Sequence, residues 1–354
     1  MKTVQRLYLK DFLILLGILA VGLSAISSLL DLTGNIDSFM QGRPSAGDLL
    51  SYAALNVPRY FLYLLPMSVL ISSLFTFSQA HKRGEITAIK AAGGRLRRLF
   101  YPLLLAAAVL SVLSFLTGEI VVPDFSGKAI ALKNRIEGKT RQLSFTDGAL
   151  WLKSRDGSPV KIDLYIPDKE MARGVTIFVI GDNSLREEIR ADEALWDGNT
   201  WILKNVLEFN IATGKTERLS SLTYPDLESP DLFAEEIKTT DEMGFFELYR
   251  YIQRLKTAGF NNVKMSVDIN SKISFPLINL FMMLLGISLS LRMGLGSGLF
   301  SAGLGLLISL LYWFGYTFAL SLGYAGILYP LVSAWIVPFL FILLSVYLFL
   351  QIPE

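Results

Sequence analysis

The sequence predicts a membrane protein of mixed class, with six transmembrane α-helices arranged three and three around an inserted extracytoplasmic β domain. Three observations predict it. Long apolar stretches crowd both ends of a 354-residue chain that is 52% hydrophobic, with mean hydropathy +0.46. The middle is polar and alternates, with Asp-Gly and Gly-Asn dipeptides between short segments. Lys and Arg gather mainly in the loops of one side. About 20 apolar residues of helix cross a bilayer, and only helices or closed barrels satisfy the backbone there.

The apolar runs lie at 12–30, 60–78, 99–117, 273–291, 299–322 and 327–350. The first follows Lys2, Arg6 and Lys10, as a signal peptide would, but it is long for one and carries no cleavage motif, so an uncleaved anchor is expected. The chain therefore divides into the first three helices at 1–122, a β domain at 123–240, an amphipathic connector at 241–268 and the last three helices at 269–354. Orientation follows the basic residues. Lys82, Arg83, Lys90, Arg95, Arg97 and Arg98 occupy the second loop and Arg292 the fourth, whereas the first loop sets Arg43 among Asp31, Asp37 and Asp48. Both termini are expected in the cytoplasm. Pro58, Pro66 and Pro338 are expected to kink their helices.

In the middle, strands are expected at 149–155, 160–166, 175–180, 190–196, 200–211 and 217–224, with turns at 156–159 and 197–199. Such spacing fits a sandwich, a jelly roll or a curved open sheet. A helix follows, with Phe245, Leu248, Tyr249, Ile252 and Leu255 on one face and Gly259 as its stop. It suits either the membrane interface or a face of the β domain. Gly298, Ala302, Gly305 and Ser309 put small residues on one side of the fifth span, which suits packing within the chain or, as the alternative, against another subunit.

The chemistry is sparse. There is no cysteine, and the single histidine, His81, sits in a loop, so no thiolate site or histidine-based catalytic group can form within the chain. No G-x-x-x-x-G-K-[ST] phosphate loop occurs, and the glycines of 294–298 lack the strand and helix of a nucleotide fingerprint. A net charge of +2 does not argue for nucleic acid. The span interiors read as nearly free of charge, with Arg59, Glu119 and Lys272 at outer ends. A proton-coupled transporter commonly carries such a charge, so any transport would draw its energy from a partner. The second loop suits that contact: Gly84 and Glu85 open a short helix near 84–94, Ile86 and Ile89 share a face, Ala88 and Ala92 permit close approach, and Gly93 ends it. The same residues also suit a simple positive-inside anchor.

Four segments together resemble one known family. They are 64–70 with its Leu-Pro pair, 84–93 with its Gly-Glu-Ile-Thr-Ala-Ile-Lys-Ala-Ala-Gly run, the helix 246–256, and Lys272-Ile273-Ser274-Phe275-Pro276-Leu277 at the start of the fourth span. In this order, across nearly the whole chain, they resemble the LptF/LptG permeases of lipopolysaccharide export, and 30–37 is more similar to the LptG branch. The resemblance implies a periplasmic jelly roll that continues a bridge of similar folds, and a related second permease completing a laterally gated cavity. It also implies a cytoplasmic ATPase dimer, with ATP and magnesium bound by that partner and no cofactor in this chain. Gly84, Glu85, Ile86, Ala88, Ile89, Ala92 and Gly93 would seat in the ATPase, in the inner membrane of a Gram-negative cell. Gly84 replaces the family's usual Ser, a small loss at a helix N-cap. The basic residues that LptG-type chains carry along the outer half of span one are replaced here by Asp31 and Asp37, with Arg43 nearest. Arg43, Arg59 and Lys272 are the expected contacts to lipid phosphates, or else anchors at span ends. The alternative function is a non-transporting envelope scaffold whose β domain binds partners by edge-strand pairing. A membrane enzyme is weaker still, since no nucleophile–base arrangement is visible.

Overall fold

A computed structural model describes residues 2–93, 96–137, 143–146, 149–166, 169–181, 184–211, 213–227, 230, 240–257, 262–293 and 298–352. They form two compact units. One comprises 1–137, 240–252 and 261–354, and the other 138–239 with 253–260.

The first unit is helical. Its elements are α1 (Lys2–Gly34), the short α2 (Ile36–Gln41), α3 (Ala46–Lys82), α4 (Glu85–Ala91), α5 (Leu96–Leu116) and α6 (Val122–Ile136). After the insertion come α7 (Phe245–Thr257), α8 (Val263–Met293), α9 (Gly298–Tyr324) and α10 (Pro330–Leu350). Among the described residues, six helical stretches are long and apolar enough to cross a membrane. They exceed the expected runs because polar flanks continue the helices. α3 has 37 residues, about 55 Å at 1.5 Å per residue, against a hydrocarbon core of about 30 Å. Ser45 starts it with a capping box: Asp48 N–H donates to Ser45 Oγ at 3.1 Å, and Ser45 N–H to Asp48 Oδ2 at 3.2 Å. α3 runs through Pro58 and Pro66 without interruption.

α3 and α8 are the central staves. Leu70, Leu74 and Phe77 of α3 and Met283 and Ile287 of α8 are wholly buried, as are Phe12 of α1 and Leu103 of α5. Small residues allow this closeness. A Cβ on Gly286 would lie 1.8 Å from Ser73 Oγ, and one on Gly305 would lie 3.0 Å from Leu74. The small stripe of α9 thus packs within the chain, through Gly298, Ser301, Gly305 and Ser309, with Ser301 hydrogen-bonded to Ser78 at 2.7 Å. Ala302 is shifted off that line and is only partly buried.

The expected boundary at 122/123 falls inside helix. α5 passes through a π-helical turn, Thr117–Val121, directly into α6, and the units divide after Glu137. The reason is apolar: Ala129 and Ile136 of α6 join Phe39 of α2 and Tyr52 of α3 in a separate small core.

The second unit is a β domain inserted between the third and fourth spans. Among its described residues, seven antiparallel strands form one sheet: β1 (Leu143–Thr146), β2 (Ala149–Lys153), β3 (Pro159–Ile166), β4 (Met171–Gly181), β5 (Ser184–Trp196), β6 (Trp201–Asn210) and β7 (Lys215–Tyr224). Neighbours in the sheet are neighbours in the chain, so hairpins make the connections and no Greek-key crossover occurs within it. The open-sheet alternative describes this topology. β1 was not foreseen. Trp201, Val160, Ile162, Ile177 and Leu203 form the core of one face. Gly157 (φ +90°) and Gly198 (φ +96°) occupy the two expected turns, in a backbone region that L side chains avoid.

α7 keeps Leu248, Tyr251, Ile252 and Leu255 buried, while Tyr249, expected on that face, is exposed. It ends at Thr257, and Gly259 lies outside the described residues.

Candidate functional site

Two sites stand at opposite ends of the helical unit. From Arg59 to Arg83 along α3 is about 36 Å at 1.5 Å per residue.

At the first, the chain leaves α3 through Arg83 and turns at Gly84, whose φ of +72° reverses direction without a Cβ penalty. Ala88 N–H donates to Gly84 O at 2.9 Å, the first bond of α4. Gly93 (φ +72°) follows the C-terminal cap Ala92. Ile86 is 3% exposed and belongs to the bundle's own core with Leu96, Leu99 and Phe100, and Ile89 packs partly against it. Ile86 is therefore not free for a partner, because its burial is what attaches α4 to the bundle. Gly84, Ala88, Ala92 and Gly93 remain on the exposed side with Lys90. Gly94 and Arg95 lie outside the described residues.

Glu85 is held in place. Tyr8 Oη of α1 donates to its Oε2 at 2.7 Å, and Arg83 Nη1 lies 3.8 Å from Oε1. Tyr8 is buried, with its ring edge-on to Phe77 at 5.7 Å. A cleft of about 240 Å³ opens alongside, between α1 and the last turns of α3, with Asp11, Gln79 and Glu85 on its walls. Tyr8 and Glu85 are 77 residues apart, and no sequence signal joins them.

At the other end lies a cavity of about 190 Å³ walled by α3, the π turn, α8, α9 and the connector that leads into α7. It brings Arg59 and Lys272 together. It does not include Arg43, which is exposed in the α2–α3 turn with φ +49°. That turn is fixed elsewhere: a Cβ on Gly42 would collide with Ile136 O of α6. Three carboxylates share the cavity, so its formal charge is two cations against Glu119, Asp241 and Asp268, a net of −1. Each carboxylate has a partner. Asp241 Oδ2 accepts from Arg59 Nη2 at 2.7 Å, and Asp268 Oδ1 accepts from Tyr324 Oη at 2.6 Å. Glu119 accepts from the N–H groups of Phe245 and Phe246, satisfying two open donors at the positive end of α7. Among the described residues, Lys272 makes no hydrogen bond or ion pair, and Arg59 Nε is buried without an acceptor. Sequence reasoning missed Asp241, Asp268 and Tyr324. Asp268, Ser271, Lys272 and Phe275 follow helical spacing at the start of α8, a signal obscured by starting that span at 273.

Comparison with known proteins accords with this architecture. The lipopolysaccharide export system permease protein LptG of Escherichia coli strain K12 is 25% identical over 274 residues, covering 75% of each chain. The LptG of E. coli O6:H1 strain CFT073 matches to the same extent. Residues 6–351 match the family of lipopolysaccharide export system permeases LptF/LptG. Six membrane-length helices, a β domain inserted after the third, and a family match that spans almost the entire polypeptide together place this chain in the LptF/LptG family.

Proposed function

We propose that this chain is the LptG-like permease subunit of an ATP-driven exporter that extracts lipopolysaccharide from the inner membrane. ATP and magnesium are bound by a separate cytoplasmic ATPase dimer, a related second permease completes the cavity, and the lipid passes to a periplasmic bridge of β domains. Both termini and α4 face the cytoplasm, as the basic loops require. The observation that carries this reading is the family match over residues 6–351, with the curated LptG relatives beside it.

The chain's own part in the mechanism follows from how α4 is mounted. The ATPase grips the exposed side of α4 at Gly84, Ala88, Ala92 and Gly93, with Glu85 as the charged contact. A push on α4 reaches α3 and α5 as one body, because Ile86 is locked among Leu96, Leu99 and Phe100. It reaches α1 through the Tyr8–Glu85 hydrogen bond. At the far end, Arg59 and Lys272 meet the lipid's phosphates, since a guanidinium binds phosphate in a two-pronged way.

Charge reversal, Glu85→Lys, is the test of coupling. Co-purification of the ATPase should be lost while the chain still folds, and full association with normal lipid release would sink the assignment. Photo-crosslinkers at 59 and 272 should label lipopolysaccharide and one at 43 should not. Label at 43 alone would move the headgroup out of the cavity.

A further inference from the structure

We propose that Arg59 is an exchange switch. Asp241 holds it while the cavity is empty, and a phosphate of the lipid headgroup displaces Asp241, releasing Thr240 and Asp241 ahead of α7. This rests on the proposal that a phosphate-bearing lipid enters the cavity.

The connector has two anchors of different character. One is built to stay. Glu119 sits on the amides of Phe245 and Phe246, where a carboxylate is favoured by both the open N–H groups and the helix dipole. Gly244 is needed for that approach, because a Cβ there would lie 2.7 Å from Glu119 Oε1. Met243 is fully buried beside it. The π turn, which adds a residue to one turn of helix, carries Glu119.

The other anchor is built to exchange. Arg59 meets Asp241 through Nη2, with both side chains more than a third exposed, at 38% and 39%, and its guanidinium also lies 5.9 Å from the centre of the Tyr63 ring. An ion pair that open is weak, and a competing anion replaces it readily. Arg59 Nε is buried without an acceptor, so Asp241 leaves the guanidinium incompletely satisfied. Lys272, which makes no hydrogen bond or ion pair among the described residues, faces the same cavity.

Charge favours the exchange. With Asp241 in place the cavity carries two cations and three carboxylates, a net of −1 that opposes an anion. When Asp241 leaves, two cations face two carboxylates and the net is zero. Those two are already engaged, Glu119 by helix amides and Asp268 by the Tyr324 hydroxyl. A phosphate therefore enters well only as Asp241 departs. Because Met243 to Phe246 are pinned, the part that swings is Thr240 and Asp241, which lie next to the β domain in the chain. Occupancy of the cavity is thereby reported to the chain just ahead of α7.

The chain lacks cysteine, so Thr240→Cys gives a single site for a spin label in the full-length protein in nanodiscs. Lipid bound is measured in parallel by what co-purifies. We expect lipopolysaccharide to raise the label's mobility several-fold, dephosphorylated lipopolysaccharide to leave it unchanged, and Asp241→Asn to make the label mobile without lipid. Lipid bound with the label still held would overturn the switch and leave the permease reading intact. Release by inorganic phosphate alone, and not by lipid, would overturn the assignment to a headgroup. A wild-type chain that binds no lipid would overturn the underlying reading and the switch together.

Discussion

Tyr8→Phe isolates the hydroxyl that orients Glu85. The ring stays where it is, buried and edge-on to Phe77 at 5.7 Å, so packing is kept. What is lost is one hydrogen bond of 2.7 Å to a carboxylate. Bonds to charged groups contribute about 1.5–3 kcal/mol. Glu85 is 35% exposed, so water recovers part of that, and the low end, about 1.5 kcal/mol, applies. If the ATPase reads Glu85 in this orientation, the binding-competent fraction falls by that amount and apparent affinity weakens about tenfold. Titrating purified ATPase onto the full chain in nanodiscs measures it, with thermal melting of the free chain as the folding control. Tyr8→Ala should instead lose about 3–5 kcal/mol of stability by emptying a packed site. An unchanged ATPase affinity for Tyr8→Phe, in a background where Glu85→Lys abolishes binding, would refute the claim that Tyr8 presents Glu85.

Gly286→Ala should destabilise the α3–α8 contact by about 1–3 kcal/mol, since its Cβ would fall on Ser73 Oγ, whereas Gly22→Ala, which meets nothing within 4 Å, should not shift the melting midpoint. Glu119→Ala should cost about 0.5–2 kcal/mol at the start of α7, as for a lost helix cap, read as faster amide exchange at Phe245 and Phe246. In the β5–β6 turn, the backbone N–H groups of Thr200 and Asn199 hold the Asp197 carboxyl below the usual carboxylate range. A depressed folded value gives stability that is fully present above the unfolded pKa of about 3.9 and is lost as pH falls through the folded value. The melting midpoint of the wild type should therefore drop as acid protonates Asp197, and Asp197→Asn should flatten that part of the profile.

The strands and turns of the β domain were legible because their signals are local. Asp-Gly and Gly-Asn mark turns wherever they occur, and alternation marks strands on either side. β1 was missed because its four residues are too short to show alternation. α6 was missed because Val122–Ile136 reads as polar, and its helix is held by apolar contacts of Ala129 and Ile136 to Phe39 and Tyr52, far earlier in the chain. In the coupling segment, both glycines and the acidic start were legible, yet Ile86 was assigned to a partner because spacing alone does not say which neighbour claims an apolar face. At the cavity, Arg59 and Lys272 were legible as cations near span ends. That Asp241 pairs with Arg59, and that Glu119 and Asp268 line the same cavity, was not.

What the amino-acid order determined by itself was the number of membrane-length apolar helices and the family, because hydrophobic run length and motif order are properties of contiguous segments. Only the tertiary structure decided that Glu85 leans on Tyr8 and that Arg59 is held by Asp241, 182 residues away in the chain. Charge pairing depends on distances of a few ångströms, and those are set by how helices pack.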